Sequence, residues 1–236
     1  MRHPACQMVN EPGVHGLLSF SDDSPARLLV TDDTAEDVLT ALLPSIGAGA
    51  ISIFAAAPRC TELVTNHQGW QPKAVTAMIN SDLRAVPEGP LPSGLTLRPV
   101  RRLAEDPTDA VPLKDALAAV RLANPSIDDA PQALAEHLRS LPPTTRLFAA
   151  VDDDGVVRAT SGFGTFGAQG TVFFVNTDPS WRHRGIGQAM TAAALRSARH
   201  AGASQACLDA SDAAISIYLR LGFEIVARST QFFRAG

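Results

Sequence analysis

Arg182-His183-Arg184-Gly185-Ile186-Gly187 stands between a β-prone run, Thr171 to Asn176, and an Ala-rich stretch with helical periodicity from about Ile186 to Ala201. The first N–H groups of a helix have no intrahelical partners, so a loop that opens one gathers several donors in a small volume, which favours an anion. Glycines at 185 and 187 bring no Cβ to hold an anion off the backbone, and arginines at 182 and 184 add positive charge. A glycine-bearing helix start with solvated arginines is the plainer reading of the same residues.

Outward from this loop the pattern is that of a mixed sheet. Upstream, Leu95 to Val100 alternates like a strand, and helical stretches follow at about 109–122 and 128–141, broken at Asn124-Pro125. Leu147 to Val151 and Val156 to Gly162 flank Asp152-Asp153-Asp154-Gly155, which reads as a hairpin turn; metal-binding loops spread their ligands over a longer spacing. Downstream come strand Gln205 to Asp209, helix Asp212 to Leu221, and strands Glu224 to Arg228 and Thr230 to Arg234. The order predicts an α+β fold, a mixed and mostly antiparallel sheet with helices on both faces. Gly162-Phe163-Gly164-Thr165-Phe166-Gly167 matches the dinucleotide fingerprint GxGxxG, but it leads into a strand rather than a helix, so hairpin geometry explains these glycines.

Arg-x-x-Gly-x-Gly at 182–187, preceded by a β-run ending in Asp178-Pro179 and followed by Tyr218-Leu-Arg-Leu-Gly222-Phe223, resembles the GCN5-related N-acetyltransferase (GNAT) family over about residues 94–236. The resemblance implies an acyl-coenzyme A N-acyltransferase fold and acetyl-coenzyme A as co-substrate, with no metal. It implies that the strand before the loop splays open, with Val175, Asn176 and Thr177 as strand contacts and Arg182, His183, Arg184, Gly185, Ile186, Gly187 and Gln188 as the pyrophosphate loop. Tyr218, the one tyrosine of the chain, would then serve the leaving thiolate. A phenol with a reference pKa of about 10 stays protonated at neutral pH and can stabilise or protonate a thiolate.

Two positions depart from the family pattern. Ser211 stands where an Asn that contacts coenzyme A is common, and is suited to capping the helix that follows. Strand 171–176 carries no glutamate to serve as base, which leaves Asp209 as the substitute; a turn carboxylate is its plainer reading. The implied reaction is acetyl transfer to a primary amine of a small molecule or peptide by direct attack. The alternative is a non-catalytic acyl-coenzyme A binding or sensing protein.

The chain has 236 residues, 45% of them apolar, enough for one large core or two smaller ones. Arg84 to Gly94, with three prolines and two glycines, reads as a linker, giving a domain at 1–83, a linker at 84–93 and a catalytic domain at 94–236. Net charge is −4, made up of −5 over residues 1–93 and +1 over 94–236, with no basic face for nucleic acid. The N-terminal stretch lacks a secretory pattern and the run 47–58 is too short to span a bilayer, so a cytoplasmic protein without membrane partners is expected. Cys6, Cys60 and Cys207 lie too far apart for a CxxC pair.

The N-terminal portion carries a fainter echo of the C-terminal one. Ile51-Ser-Ile-Phe, a helical segment through Asn66, Gly69-Trp70 and Gln71 to Ile79 repeat the order around 204–233 at an offset of 153 residues. Thr65 then falls on Tyr218 and no Arg-x-x-Gly-x-Gly precedes it. A degenerate partial GNAT-like copy is expected, one that covers the acceptor side or forms a homodimer contact.

Overall fold

The structure is a computed structural model that describes residues 6–19, 26–46, 49–87, 89–103, 106–123, 135, 138, 139 and 141–234. Its strands are β1 (Cys6–Glu11), β2 (Val14–Ser19), β3 (Ala26–Val30), β4 (Gly49–Phe54), β5 (Gln71–Asn80), β6 (Leu95–Arg101), β7 (Val111–Pro112), β8 (Arg146–Asp152), β9 (Val157–Phe166), β10 (Gln169–Thr177), β11 (Gln205–Ala210) and β12 (Glu224–Arg234). Its helices are α1 (Glu36–Leu42), α2 (Pro58–Asn66), α3 (Leu113–Ala123), α4 (Ile186–His200) and α5 (Ile215–Arg220). The chain packs as two compact units, one of residues 1–77, 210–213 and 225–236, the other of 78–209 and 214–224.

In the first unit β1, β2 and β3 form an antiparallel meander, β3 and β4 run parallel, and β12 lies antiparallel to β4 from Ser229↔Phe54 to Arg234↔Gly49. Alternation along β4 turns Ile51 and Ile53 inward, where they meet Leu39 and Leu43, Val64 of α2, Trp70 and Phe232. Each such side chain contributes about 1.5–3 kcal/mol when fully buried.

The second unit orders its strands β7-β6-β8-β9-β10-β11. β6, β8, β9 and β10 are antiparallel neighbours, and β11 joins β10 in parallel. Strand β8 shows why helices cover both faces. Leu147, Ala149 and Val151 pack with Leu113, Ala116 and Leu117 of α3, while Ala150, of opposite parity, packs with Ile186 and Met190 of α4. Buried Arg102 donates to the carbonyls of Leu138, Leu141 and Pro142, pinning the chain that returns to β8.

Several local expectations change. The segments 224–228 and 230–234 form one strand, whose residues Ser229 to Arg234 pair with β4. The helix expected from Asp109 starts at Leu113, since Val111-Pro112 pairs with Val100-Arg101 first. The helix expected from Asp212 is a 3₁₀ turn at Asp212–Ala214 followed by α5. The helix expected over 128–141 falls mostly outside the described residues; Ala135, Leu138 and Arg139 are helical. Of the GxGxxG match, residues 162–166 lie within β9.

Helix α5 is too short to be stable alone, and its end is fixed from afar. Asn80, buried at the end of β5, donates its amide to the Leu221 carbonyl at 2.8 Å and accepts the Asp82 N–H at 2.9 Å. The following Gly222 takes φ +82°, the left-handed turn that closes a helix. Replacing Asn80 by Ala strands the buried Leu221 carbonyl and frees the part-buried Asp82 N–H, with an expected loss of about 1–3 kcal/mol in denaturant unfolding. Asn80→Asp, which turns the donor into a charged acceptor facing the Leu221 carbonyl, should recover none of it.

Candidate active site

Strand β10 parts from β11 early. Their parallel ladder runs only from Gln169↔Gln205 to Thr171↔Cys207, although the strands continue to Thr177 and Ala210. Beyond Thr171 the β10 backbone therefore keeps hydrogen-bonding groups on that side with no strand partner among the described residues. On its other side β10 carries a bulge: Phe173 faces Gly162 and Asn176 faces Thr160, so Phe174 and Val175 together oppose Ser161. Phe174 has φ +56°, and the Thr160 hydroxyl donates to its carbonyl at 2.9 Å, fixing the kink. Val175, Asn176 and Thr177 are all half-buried along this opened stretch.

Asp178 then starts the loop. One carboxylate oxygen accepts the Ser180 N–H at 2.9 Å and hydroxyl at 2.7 Å, and the other accepts from Arg158 at 2.9 Å. Arg158 also donates to Asp152 at 2.7 Å, while Asp152 accepts the N–H groups of Asp154 and Val156 in the β8–β9 turn. Burial works against the Asp178 charge, but the Ser180 bonds and Arg158 outweigh it and hold the carboxyl below its usual range. The Val156 N–H and Arg158 lower Asp152 in the same way. The Arg158 guanidinium lies 5.3 Å from the Trp181 ring centre and that of Arg184 lies 4.8 Å from it.

The loop residues play different parts. Arg182 is engaged in the protein itself, donating to the Thr177 carbonyl at 3.3 Å and to the Ala123 carbonyl, at the end of α3, at 3.0 Å. His183 has φ +62° and Gly185 φ +77°, so the chain turns left-handed twice before α4 begins. A Cβ on Gly185 would meet nothing within 4 Å, so this glycine is needed for its backbone angle and leaves open space in front of the helix. A Cβ on Gly187 would stand 3.7 Å from Ile217 and 3.8 Å from Thr177, which brings the end of β10, α4 and α5 together. Ile186 is buried under α4, and Gln188 accepts from Arg220 of α5 at 3.1 Å.

Tyr218 is 7% exposed, packed edge-on against Phe223 at 5.8 Å between ring centres, and burial pushes its phenol up to about 12. Its hydroxyl has no hydrogen-bond partner among the described residues. Asp209 is exposed on β11 and alternates with the buried Leu208 and Ala210, which puts it on the strand face of Cys207. Ser211 follows at the surface. Sequence reading passed over Thr160, Phe174 and the Asp152–Arg158–Asp178 bridge. Asp178-Pro179-Ser180, a capping pattern, was the available signal for the last.

Residues 143–225 match the family model of the acetyltransferase (GNAT) domain. Over that segment the chain is similar to GNAT domains. Solved structures of the same fold include a GCN5-related N-acetyltransferase from Kribbella flavida, at 23% identity over 98% of this chain and 90% of that one, with a TM-score of 0.63. A functionally unknown conserved protein from Staphylococcus epidermidis is 14% identical over 99% and 96%, with a TM-score of 0.69. A tandem GNAT protein from the clavulanic acid biosynthesis pathway is 16% identical over 94% and 78%, with a TM-score of 0.57. Among curated proteins compared by sequence, none matches.

The loop that Asp178 opens should report its anchoring in acid. Asp178 has a folded pKa below its unfolded value of 3.8, so its contribution is present above that value and is lost as pH falls through the folded value. In pH-dependent thermal unfolding, wild type should exceed Asp178→Asn by a constant margin above about pH 5, and the two should converge below 3.8.

Proposed function

We propose that the protein transfers acetyl from acetyl-coenzyme A to a primary amine of a small molecule or peptide. The observation that carries this reading is the parting of β10 from β11 after Thr171, beside the Phe174 bulge and ahead of the α4 N-terminus. An open strand edge suits an extended amide-bearing arm, and a helix start fronted by empty space suits a pyrophosphate. Both belong to one cofactor. Bound acetyl-coenzyme A would supply an activated thioester.

In this reading the backbone of Val175, Asn176 and Thr177 holds the arm, and the N–H groups from His183 to Gln188 take the pyrophosphate, with Arg184 adding charge. Arg182 braces the loop through Thr177 and Ala123 with two of its five donors and has the others left for the pyrophosphate. Ser211 is a weaker cofactor contact. The amine attacks the thioester carbon directly; a C–N bond forms, the C–S bond breaks, and the ammonium proton leaves toward Asp209 or water.

The magnitude of the phenol shift decides what Tyr218 does. With its pKa at about 12, it is a weaker acid than a thiol near 8.5, so full proton transfer to a thiolate would be uphill by roughly 5 kcal/mol. Tyr218 then donates a hydrogen bond that stabilises the leaving sulfur without surrendering its proton.

We also read β4–α2–β5 of the first unit as a degenerate copy of β11–α5–β12. In support, Gly69 (φ +90°) and Gly222 (φ +82°) sit at the predicted offset, each followed by a buried aromatic, Trp70 and Phe223.

Tyr218→Phe should lower acceptor-dependent thiol release about 10- to 100-fold with coenzyme A affinity unchanged. Tight cofactor binding with no thiol release across a panel of amines would replace catalysis by acyl-coenzyme A sensing. Calorimetric titration of Gly185→Asp should show at least a tenfold loss of coenzyme A affinity beyond that of Gly185→Ala, which carries the same left-handed strain of about 1–2 kcal/mol. Equal affinities for the two variants would remove the loop from the cofactor site.

A further inference from the structure

The first unit has a polar recess of about 220 Å³ lined by Thr61, Thr76, Asp212, Arg228, Ser229 and Thr230, among others. That is below the size of a drug-sized site and fits a small metabolite. Three observations give it chemical character.

Strand alternation puts Arg228 and Thr230 on the same face as Phe232, which is fully buried in the core of this unit. Arg228 is exposed in the recess, and its side chain has no hydrogen bond or ion pair among the described residues. Asp212 lines the same recess, yet it forms no ion pair with Arg228 within 4.0 Å. One free cation and one free anion thus share a single small volume.

Thr76 adds the independent point. It is 1% exposed, lines the recess, and its hydroxyl makes no hydrogen bond among the described residues. A hydroxyl without a partner on the wall of a recess can donate to or accept from a ligand. Thr61, by contrast, spends its hydroxyl proton on the Ala57 carbonyl and can only accept.

We propose that this recess binds a small zwitterion of the amino acid class, with its carboxylate on Arg228 and its ammonium on Asp212. A planar guanidinium matches a carboxylate in a two-pronged fashion, and an aspartate with the Thr61 oxygen accepts from an ammonium. The Thr76 hydroxyl completes the carboxylate end. This binding function stands apart from the acyl transfer proposed above and does not require it.

The test is calorimetric titration of the full-length chain with a panel of free amino acids, with acetate and methylammonium as half-ligands. At least one amino acid should bind, and both half-ligands should bind at least tenfold more weakly. Arg228→Met and Asp212→Asn, both at exposed positions, should each weaken that amino acid about tenfold or more with unchanged thermal unfolding. Thr76→Val, close in shape, should weaken it severalfold. Failure of every amino acid to bind, acetate binding as well as the zwitterion, or affinity unmoved by Arg228→Met would each overturn the proposal.

Discussion

Arg158, held between Asp152 and Asp178, ties the frame of the second unit to its loop. Asp152 closes the β8–β9 turn by accepting two backbone N–H groups, and Asp178 opens the loop by capping its 3₁₀ turn at Pro179–Trp181. The two carboxylate side chains are 7% and 5% exposed, so neither can be left charged without the guanidinium between them. Arg158 itself is a quarter exposed and rests over Trp181, whose ring also meets Arg184. A hairpin turn far from the loop in sequence thereby sets where the loop begins. The aspartates of 152–154 read in sequence as turn residues, and Asp152 is one, but its second oxygen does the longer-range work.

Strain collects where this frame ends. Among the described residues the two non-glycine positions with positive φ are Phe174 and His183, one in the β10 bulge and one in the loop. Left-handed backbone at such residues costs about 1–2 kcal/mol each and persists only where surroundings impose it. The Thr160 hydroxyl on the Phe174 carbonyl and the Arg182 bonds to Thr177 and Ala123 are those surroundings. Their joint effect is to turn β10 away from β11 and then to aim the start of α4 at the gap.

Features fixed by neighbours in sequence were legible in the sequence, and those fixed by distant partners were not. The helix start at Ile186, the Asp-Gly turn and the alternation of β8 follow from local chemistry, and each stands within a few residues of its expected place. Ser229 looked like a break between two strands, yet both segments lie in β12, and from Ser229 on the chain is held by β4, some 180 residues earlier. The spacing of Arg182 from Gly185 is legible in sequence, whereas its carbonyl partner at the end of α3, 59 residues earlier, is not. The bulge at Phe174 was likewise invisible, since nothing in Phe173-Phe174-Val175 marks a left-handed residue.

The Pro- and Gly-rich stretch at 84–93 marks an irregular segment in the sequence, but the compact units do not divide there. Residues 78–83, which precede it, pack with the second unit: Leu83 donates its N–H to Ser204, and Asn80 holds the last carbonyl of the Tyr218 helix across 141 residues. Residues 225–236, which follow α5, pack with the first unit and place Phe232 in its core. The chain therefore crosses between the units on both sides of α5. A six-residue helix carrying the one buried phenol is anchored at its end by an amide from the N-terminal third of the sequence. The placement of Tyr218 thus depends on Asn80, far away in sequence but in the same compact unit, as well as on its own short helix.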